Sequence, residues 1–288
     1  DRHRKVRVMR FGVVGAYGNT TQQITLATTA EHAGWDGYFT WDGISIGAMD
    51  TWDPFTLLGA IAASTERITL GALVVAAPRR HPLELARQIL TVDHLSSGRL
   101  VLPVGLGSIE DRGFSGVQGL GAVPHGLRDR ADLLDESLAI LDAASSGEPF
   151  SFSGTHHQIS DVTIAPRPIA SGRVPIWPVG SWPSSRSMAR AASWDGIVLQ
   201  LRGERGFESP GPEDVRGAVE WLTEHRGEAG MTGFDVVVQG SFAGDPDAAD
   251  QAAALAEAGA TWWIDSRWDP EVDTAEAMLN LVEQGPPR

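Results

Sequence analysis

Short runs of Val, Ile and Leu alternate along the chain with stretches whose apolar residues recur every three or four positions. Compact apolar runs mark strands covered on both faces, and the three-and-four spacing marks amphipathic helices. The strands read as Arg10–Ala16, Gly37–Asp42, Ile68–Ala76, Arg99–Gly105, Val174–Gly180, Gly196–Leu201, Asp235–Phe242 and Thr261–Ser266. The helices read as Thr20–Gly34, Asp53–Thr65, Pro82–Leu95, a segment carrying Leu127, Ala131, Leu134, Leu138 and Leu141, then Ser185–Ser193, Glu213–Glu228, Asp247–Glu257 and Thr274–Gln284. Gly34 suits a helix stop, Asp53 an N-cap and Pro54 a first helical position. Eight strands, each followed by a helix, favour an α/β fold of the closed (β/α)8 TIM-barrel type over an open doubly wound sheet. Pro149–Pro168 fits neither period and reads as a β-hairpin insertion turning at Ser153-Gly154. Pro103 and Pro178 fall inside strand runs and read as bulges or strand ends, because proline cannot donate to a ladder. No linker divides the chain, so residues 1–288 are expected to form one domain, with 1–8 as a leader.

Composition narrows the function classes. A net charge of -14 argues against nucleic acid or an anionic membrane as partner. The chain has no cysteine, which excludes a disulfide framework, a thiolate metal site and a cysteine nucleophile, and fits a cytoplasmic location. No apolar run approaches the ~20 residues of a membrane span. Trp is frequent, at 10 against 2 Tyr, and is expected in packing or pocket walls.

In a barrel, chemistry sits at the C-terminal ends of the strands. Gly12, Gly15 and Gly18 have the wrong spacing for a dinucleotide fingerprint and read as a glycine-lined mouth. Asp42, in Trp41-Asp42-Gly43, reads either as a proton carrier or cofactor-orienting carboxylate, or as a cap on loop backbone. His81, after Arg79 and Arg80, reads as an acid or base, or as a loop hydrogen bonder. Asp93 and Arg99 flank the turn at the opposite face and are expected to pair. Gly105 and Gly107, before Ser108, let a flat ring approach backbone. Glu110 keeps a TIM-barrel glycosidase open, which would need a second carboxylate roughly 5 to 10 Å away. The strand ends lack a His-x-His pair and His156-His157 falls in the hairpin, so no metal site is expected. Gly180, Ser181, Ser184 and Ser185 open a helix beside Arg186, a composition suited to a phosphate or to an ordinary N-cap. His125, Arg128 and Arg130 read as a second anion contact or as a solvated face.

Several blocks together resemble one family along nearly the whole chain. They are Thr40–Gly43 (TWDG), Asp53–Val75, Arg79–Gly107, Arg130–Leu141, Ala165–Pro168 (APRP), Pro175–Ser181 and Arg190–Gly196. The resemblance is to the bacterial luciferase-like monooxygenase superfamily of flavin- and coenzyme F-420-dependent oxidoreductases. It implies a (β/α)8 barrel with insertions, often dimeric, that binds FMN or coenzyme F-420 at its mouth. Asp42 matches the family's acidic position after strand two. Leu73-Val74 matches the strand-three bulge, which holds a non-prolyl cis peptide against the ring in many deazaflavin members. Gly105 and Gly107 match the strand-four floor, and Gly180, Ser181 and the next helix match the cofactor-phosphate region. Four departures stand out: Gly43 where many relatives carry His, Ser108 where some carry Glu, and Pro103 and Pro178 where Gly and Val are common.

The resemblance therefore implies a ring over the Leu73-Val74 edge, near Trp41, Gly43, Gly105, Gly107 and Ser108. The cofactor's phosphate would rest on Gly180, Ser181, Ser184 and Ser185 with Arg186 nearby. Trp41, Trp177 and Trp182 would wall the pocket, and Asp42 or His81 would handle protons. A small organic substrate would undergo hydride transfer with coenzyme F-420, or oxygenation with reduced FMN from a separate flavin reductase. A family member that has lost redox activity and only binds its ligand is the alternative of a different class. A cytoplasmic homodimer is expected.

Overall fold

The computed structural model describes residues 9–119, 122–170 and 172–287, so the expected leader at 1–8 lies outside the described residues. Its strands are β1 (Arg10–Val14), β2 (Gly37–Thr40), β3 (Thr69–Ala72), β4 (Val75–Ala76), β5 (Leu102–Gly105), β6 (Phe150–Ser153), β7 (Gln158–Val162), β8 (Ile176–Trp182), β9 (Gly196–Leu201), β10 (Asp235–Gly240) and β11 (Trp262–Asp265). Its helices are α1 (Thr20–His32), α2 (Pro54–Ser64), α3 (Pro82–Leu95), α4 (Arg112–Ser115), α5 (Leu127–Ser145), α6 (Ser185–Ala192), α7 (Pro212–Gly230), α8 (Ala248–Ala258) and α9 (Ala275–Val282). All eight strand runs read from the sequence form strands, and the third is broken in two. The chain divides into two compact units, Asp1–Phe39 with Ile176–Arg288, and Thr40–Pro175.

In the first unit β1, β11, β10, β9 and β8 pair in parallel, with Phe11 opposite Trp263, Val238 opposite Trp263, Val237 opposite Val198 and Val179 opposite Val198. The start of β2 joins the other side of β1, with Val14 opposite Phe39. Val13, Ile197, Val198 and Val237 are fully buried, which is why these strands read as unbroken apolar runs. Phe39, Trp177 and Trp262 form one aromatic cluster, with ring centroids 5.7 to 6.3 Å apart. Glycines seat these rings: a Cβ on Gly196 would stand 2.6 Å from Trp177 Cδ1, and one on Gly37 would stand 2.8 Å from Trp262 Cζ3. Trp177, expected in a pocket wall, is therefore a core residue, because its strand buries that face. Trp182 lies against Gly217 of α7, where a Cβ would stand 3.0 Å from its Cζ2. Pro178 sits inside β8 and needs no bulge there, since the pairing with β9 begins one residue later at Val179.

In the second unit α2, α3 and α5 bury Leu58, Ile61, Leu85 and Leu138. Asp53 caps α2 by accepting the Thr56 N–H at 2.8 Å and its hydroxyl at 2.7 Å, with Pro54 at the first helical position. Leu70 pairs with Leu100 and Val75 with Val104, so the third strand carries one more residue than the fourth between those points. That extra residue is a β-bulge at Leu73-Val74. Pro103 lies within β5 opposite the bulge, a place where a missing ladder donor is tolerated. Asp93 and Arg99 each hold a separate loop. Asp93 accepts the Ile169 N–H at 2.8 Å, while Arg99 donates to the carbonyls of Ser96, Ala62, Thr65 and Ile68 at 2.7 to 3.0 Å. The hairpin expected at 149–168 is present as antiparallel β6 and β7. Among the described residues no helix is long and apolar enough to cross a membrane.

Candidate functional site

The Thr40–Pro175 unit gathers most of the expected site residues around the end of β2. The Leu73 N–H donates to the Thr40 carbonyl at 2.8 Å, and the Ala76 N–H donates to Asp42 Oδ2 at 2.9 Å. The Leu73-Val74 bulge is pinned between these two bonds, and its peptide is cis, as the resemblance implies. Leu73 is buried and Val74 half-buried.

Asp42 is fixed from every side. Its side chain is 1% exposed, and Oδ1 receives Arg79 Nη2 at 2.6 Å and Arg80 Nη2 at 2.7 Å. Arg79 Nη2 also reaches the Asp42 carbonyl at 2.7 Å, while its Nη1 reaches Asp111 Oδ2 at 2.6 Å. Asp111 in turn accepts the N–H groups of Ile44, Ser45 and Gly113 at 2.9 to 3.0 Å. Burial alone would raise the Asp111 pKa, but these three N–H groups and Arg79 outweigh it and hold the carboxyl below its ordinary value. The sequence reading assigned Asp111 no role. Its one local signal is an N-cap position before α4, a helix too short to read by period.

The neighbours account for two glycines of the expected site, one of them, Gly43, a departure from the family pattern. A Cβ at Gly43 would fall on the Trp41 ring, so with Trp41 placed as it is no histidine fits at 43. Gly107 has φ +75°, and a Cβ there would stand 2.8 Å from Phe114. Arg130 Nη1 donates to the Gly107 carbonyl at 2.6 Å, and its guanidinium covers the Phe114 ring. Arg130 is therefore a buried loop clamp and not a solvated face residue. Gly105 is buried in β5, whereas Ser108 is exposed and accepts the Glu110 N–H at 3.1 Å. Glu110 is exposed.

His81 is exposed at the N-cap of α3, with its ring edge-on to His157 at 6.3 Å. His157 Nδ1 lies 3.3 Å from Glu136 of α5. Burial pushes the His157 imidazole pKa down, against the pull of Glu136 and with the push of His81 and His156.

A cleft of about 300 Å³ opens beside Asp42 in the same unit, lined by the 42–44 and 51–54 segments and by Arg79 and Arg80.

The other expected site residues belong to the first unit. Gly180 is buried where a Cβ would stand 2.8 Å from Ile197 Cγ1, so its lack of a side chain serves packing. The Ser181 N–H is held by Ser187 Oγ at 2.9 Å. Ser184 is the N-cap of α6, and its side chain makes no capping bond. Ser185 and Arg186 are exposed at that end. Tyr17, after β1, was not singled out in the sequence. Its hydroxyl is buried without a hydrogen-bond partner among the described residues, and burial, Asp273 and Asp269 raise its pKa. Among the described residues no group of three His, Cys, Asp or Glu stands ready for a metal.

Comparison with known proteins places this geometry in context. The family model described as luciferase-like monooxygenase matches residues 9–283. An F420-dependent glucose-6-phosphate dehydrogenase of Beutenbergia cavernae is 29% identical over 252 residues, which cover 83% of this chain and 70% of that protein. The chain spans half or less of the length of three further curated relatives it matches. Among solved structures, the coenzyme F420-dependent tetrahydromethanopterin reductase of Methanopyrus kandleri aligns with a TM-score of 0.75 at 18% identity, covering 96% of this chain and 98% of that one. The oxygenating component of 3,6-diketocamphane monooxygenase of Pseudomonas putida, solved with FMN, aligns with a TM-score of 0.64 at 20% identity, covering 82% and 68%. These likenesses show the fold: α/β, of the luciferase-like (β/α)8-barrel type.

Proposed function

The chain belongs to the luciferase-like monooxygenase family, and from that premise we propose that it is a coenzyme F-420- or FMN-dependent oxidoreductase acting on a small organic substrate. The observation that carries the proposal is the Leu73-Val74 edge, pinned by Thr40 and by a buried Asp42. An apolar edge with fixed backbone suits one face of a planar ring. The cofactor supplies hydride chemistry if it is coenzyme F-420, or oxygen activation if it is FMN reduced by a separate reductase.

The chain's own residues position the ring and exclude water. Leu73 and Val74 would face it, with Trp41, Gly43, Gly105, Gly107 and Ser108 as the further ring contacts of the proposal. The Ser181, Ser184 and Ser185 hydroxyls and Arg186 at the start of α6 are proposed as an anion-binding group within their own unit. Asp42 has both oxygens engaged, so its part here is to hold Arg79, Arg80 and the bulge in place. Proton handling is assigned to His81, the exposed titratable ring that follows the arginine pair. A cytoplasmic homodimer completes the proposal.

Equilibrium titration of the purified protein with FMN and with coenzyme F-420, followed by Trp fluorescence, tests it. One of them is expected to bind with a dissociation constant below about 10 μM. No response to either would overturn the proposal in favour of a cofactor-lost binding protein.

A further inference from the structure

We propose that the cleft beside Asp42 is a pocket for an uncharged, largely apolar organic molecule, and that it discriminates against anions. Resting on the proposed function, this gives the class of the substrate.

The cleft offers apolar surface. Ile44 is 53% exposed and Trp52 37% exposed, and both line the cleft, with Pro54 and Thr51 between or beside them. Large apolar side chains left in water at a concave site are the ordinary mark of a ligand surface. They are held there by the loop around them. Asp111 accepts the Ile44 and Ser45 N–H groups, the Arg112 N–H donates to the Ser45 carbonyl at 2.8 Å, and Thr51 Oγ1 donates to the Ile44 carbonyl at 2.9 Å. Gly113 has no Cβ and so leaves room for Ile44; a Cβ there would fall on the Ile44 side chain. The loop cannot fold its apolar residues away without breaking these bonds.

Two arginines line the cleft, and arginines usually invite an anion. Here their Nη groups already face carboxylates, and both Nε atoms are buried. Asp42 takes both arginines, Asp111 takes Arg79, and Asp53 Oδ2 lies 3.9 Å from Arg80 Nη1. Three carboxylates against two guanidiniums leave this cluster negative by one charge. An entering phosphate or carboxylate would meet this excess negative charge and would have to compete with carboxylates already paired to the Nη groups, a cost that a neutral molecule does not meet.

Asp42 belongs to the cleft lining, and its Oδ2 accepts the Ala76 N–H two residues after Val74. The cleft and the edge assigned to the ring thus share Asp42.

The test uses the cofactor-free full-length chain and a matched pair of probes, cyclohexanecarboxamide and cyclohexanecarboxylate, which share shape and differ in charge. Calorimetry and Trp fluorescence at pH 7.5 are expected to show the amide binding at least about tenfold more tightly than the carboxylate, the scale set by one nearby unbalanced charge. The fluorescence response is expected to vanish in Trp52→Phe, an exposed and conservative change. Asp53→Asn keeps the helix cap, since Asn caps as well as Asp, and is expected to narrow the amide preference to about threefold. Equal or tighter binding of the carboxylate, an amide signal that survives in Trp52→Phe, an unchanged preference in Asp53→Asn, or no binding of either probe would each overturn the inference. Since no cofactor is present, the result is separate from the FMN and coenzyme F-420 titration. A protein that passes that titration and fails here loses only the substrate class.

Discussion

Asp42 and Asp111 are carboxylates taken almost wholly out of water, which costs several kcal/mol per ion unless the charge is met. Arg79 meets both, and backbone N–H groups complete each shell. Removing one partner from such a cluster leaves a buried charge uncompensated, so Asp111→Ala is expected to cost about 3–5 kcal/mol in chemical denaturation. Loss of less than about 1 kcal/mol would mean that Arg79 finds another partner. The pH dependence has a definite sign. The folded-state pKa of Asp111 is lowered, so its contribution is complete above the ordinary carboxylate range and is lost as pH falls through the folded value. The stability gap between wild type and Asp111→Ala should therefore close in acid, and a gap independent of pH would contradict the assignment. Asp42 was legible in the sequence through its place after a strand and its family motif. Asp111 was not, because its role exists only when segments 66 and 32 residues away meet it.

Glu136 of α5 anchors the turn of the β6–β7 hairpin. Glu136 accepts the N–H groups of Thr155, His156 and His157 at 2.6 to 3.1 Å, and Gly154 leaves room for the carboxylate. Burial raises the Glu136 pKa, but these N–H groups and the His157 ring lower it further, leaving it below the ordinary glutamate value. The anchor is then complete above the ordinary glutamate range and weakens as pH falls through the lowered value. Glu136→Gln is expected to speed amide exchange at Thr155–His157 by about tenfold with little effect on the rest of the chain, since a neutral amide accepts weakly. Unchanged exchange would show that the β6–β7 ladder alone holds the turn. The hairpin itself was legible, because its polar run breaks both periods at once. The break in the third strand was not visible in its pattern: Ile68–Ala76 is apolar but for Thr69, and an extra residue leaves no mark on a strand buried on both faces. Only the family likeness pointed to Leu73-Val74, and Pro103 opposite it reads as a consequence.

Across the whole chain, eight strand-and-helix repeats made the fold class legible, since only a few architectures cover parallel strands on both faces. The site was legible in part. Strand-end positions are fixed by topology, whereas Arg130 and Trp177 turned inward for packing reasons that no single-sequence pattern records. A bound cofactor would stabilise the chain by mass action. At one hundred times its dissociation constant it is expected to add about 2.7 kcal/mol to unfolding, measurable as a rise in melting temperature. The same measurement on Asp42→Asn should show a smaller rise, because the bulge loses its carboxylate clasp; an equal rise would remove Asp42 from the site. The most direct measurement is a crystal structure of the chain soaked with whichever of FMN or coenzyme F-420 it binds. The ring is predicted to lie against Leu73 and Val74. A ring bound elsewhere, with that edge still in contact with solvent or with the chain's own side chains, would contradict the assignment.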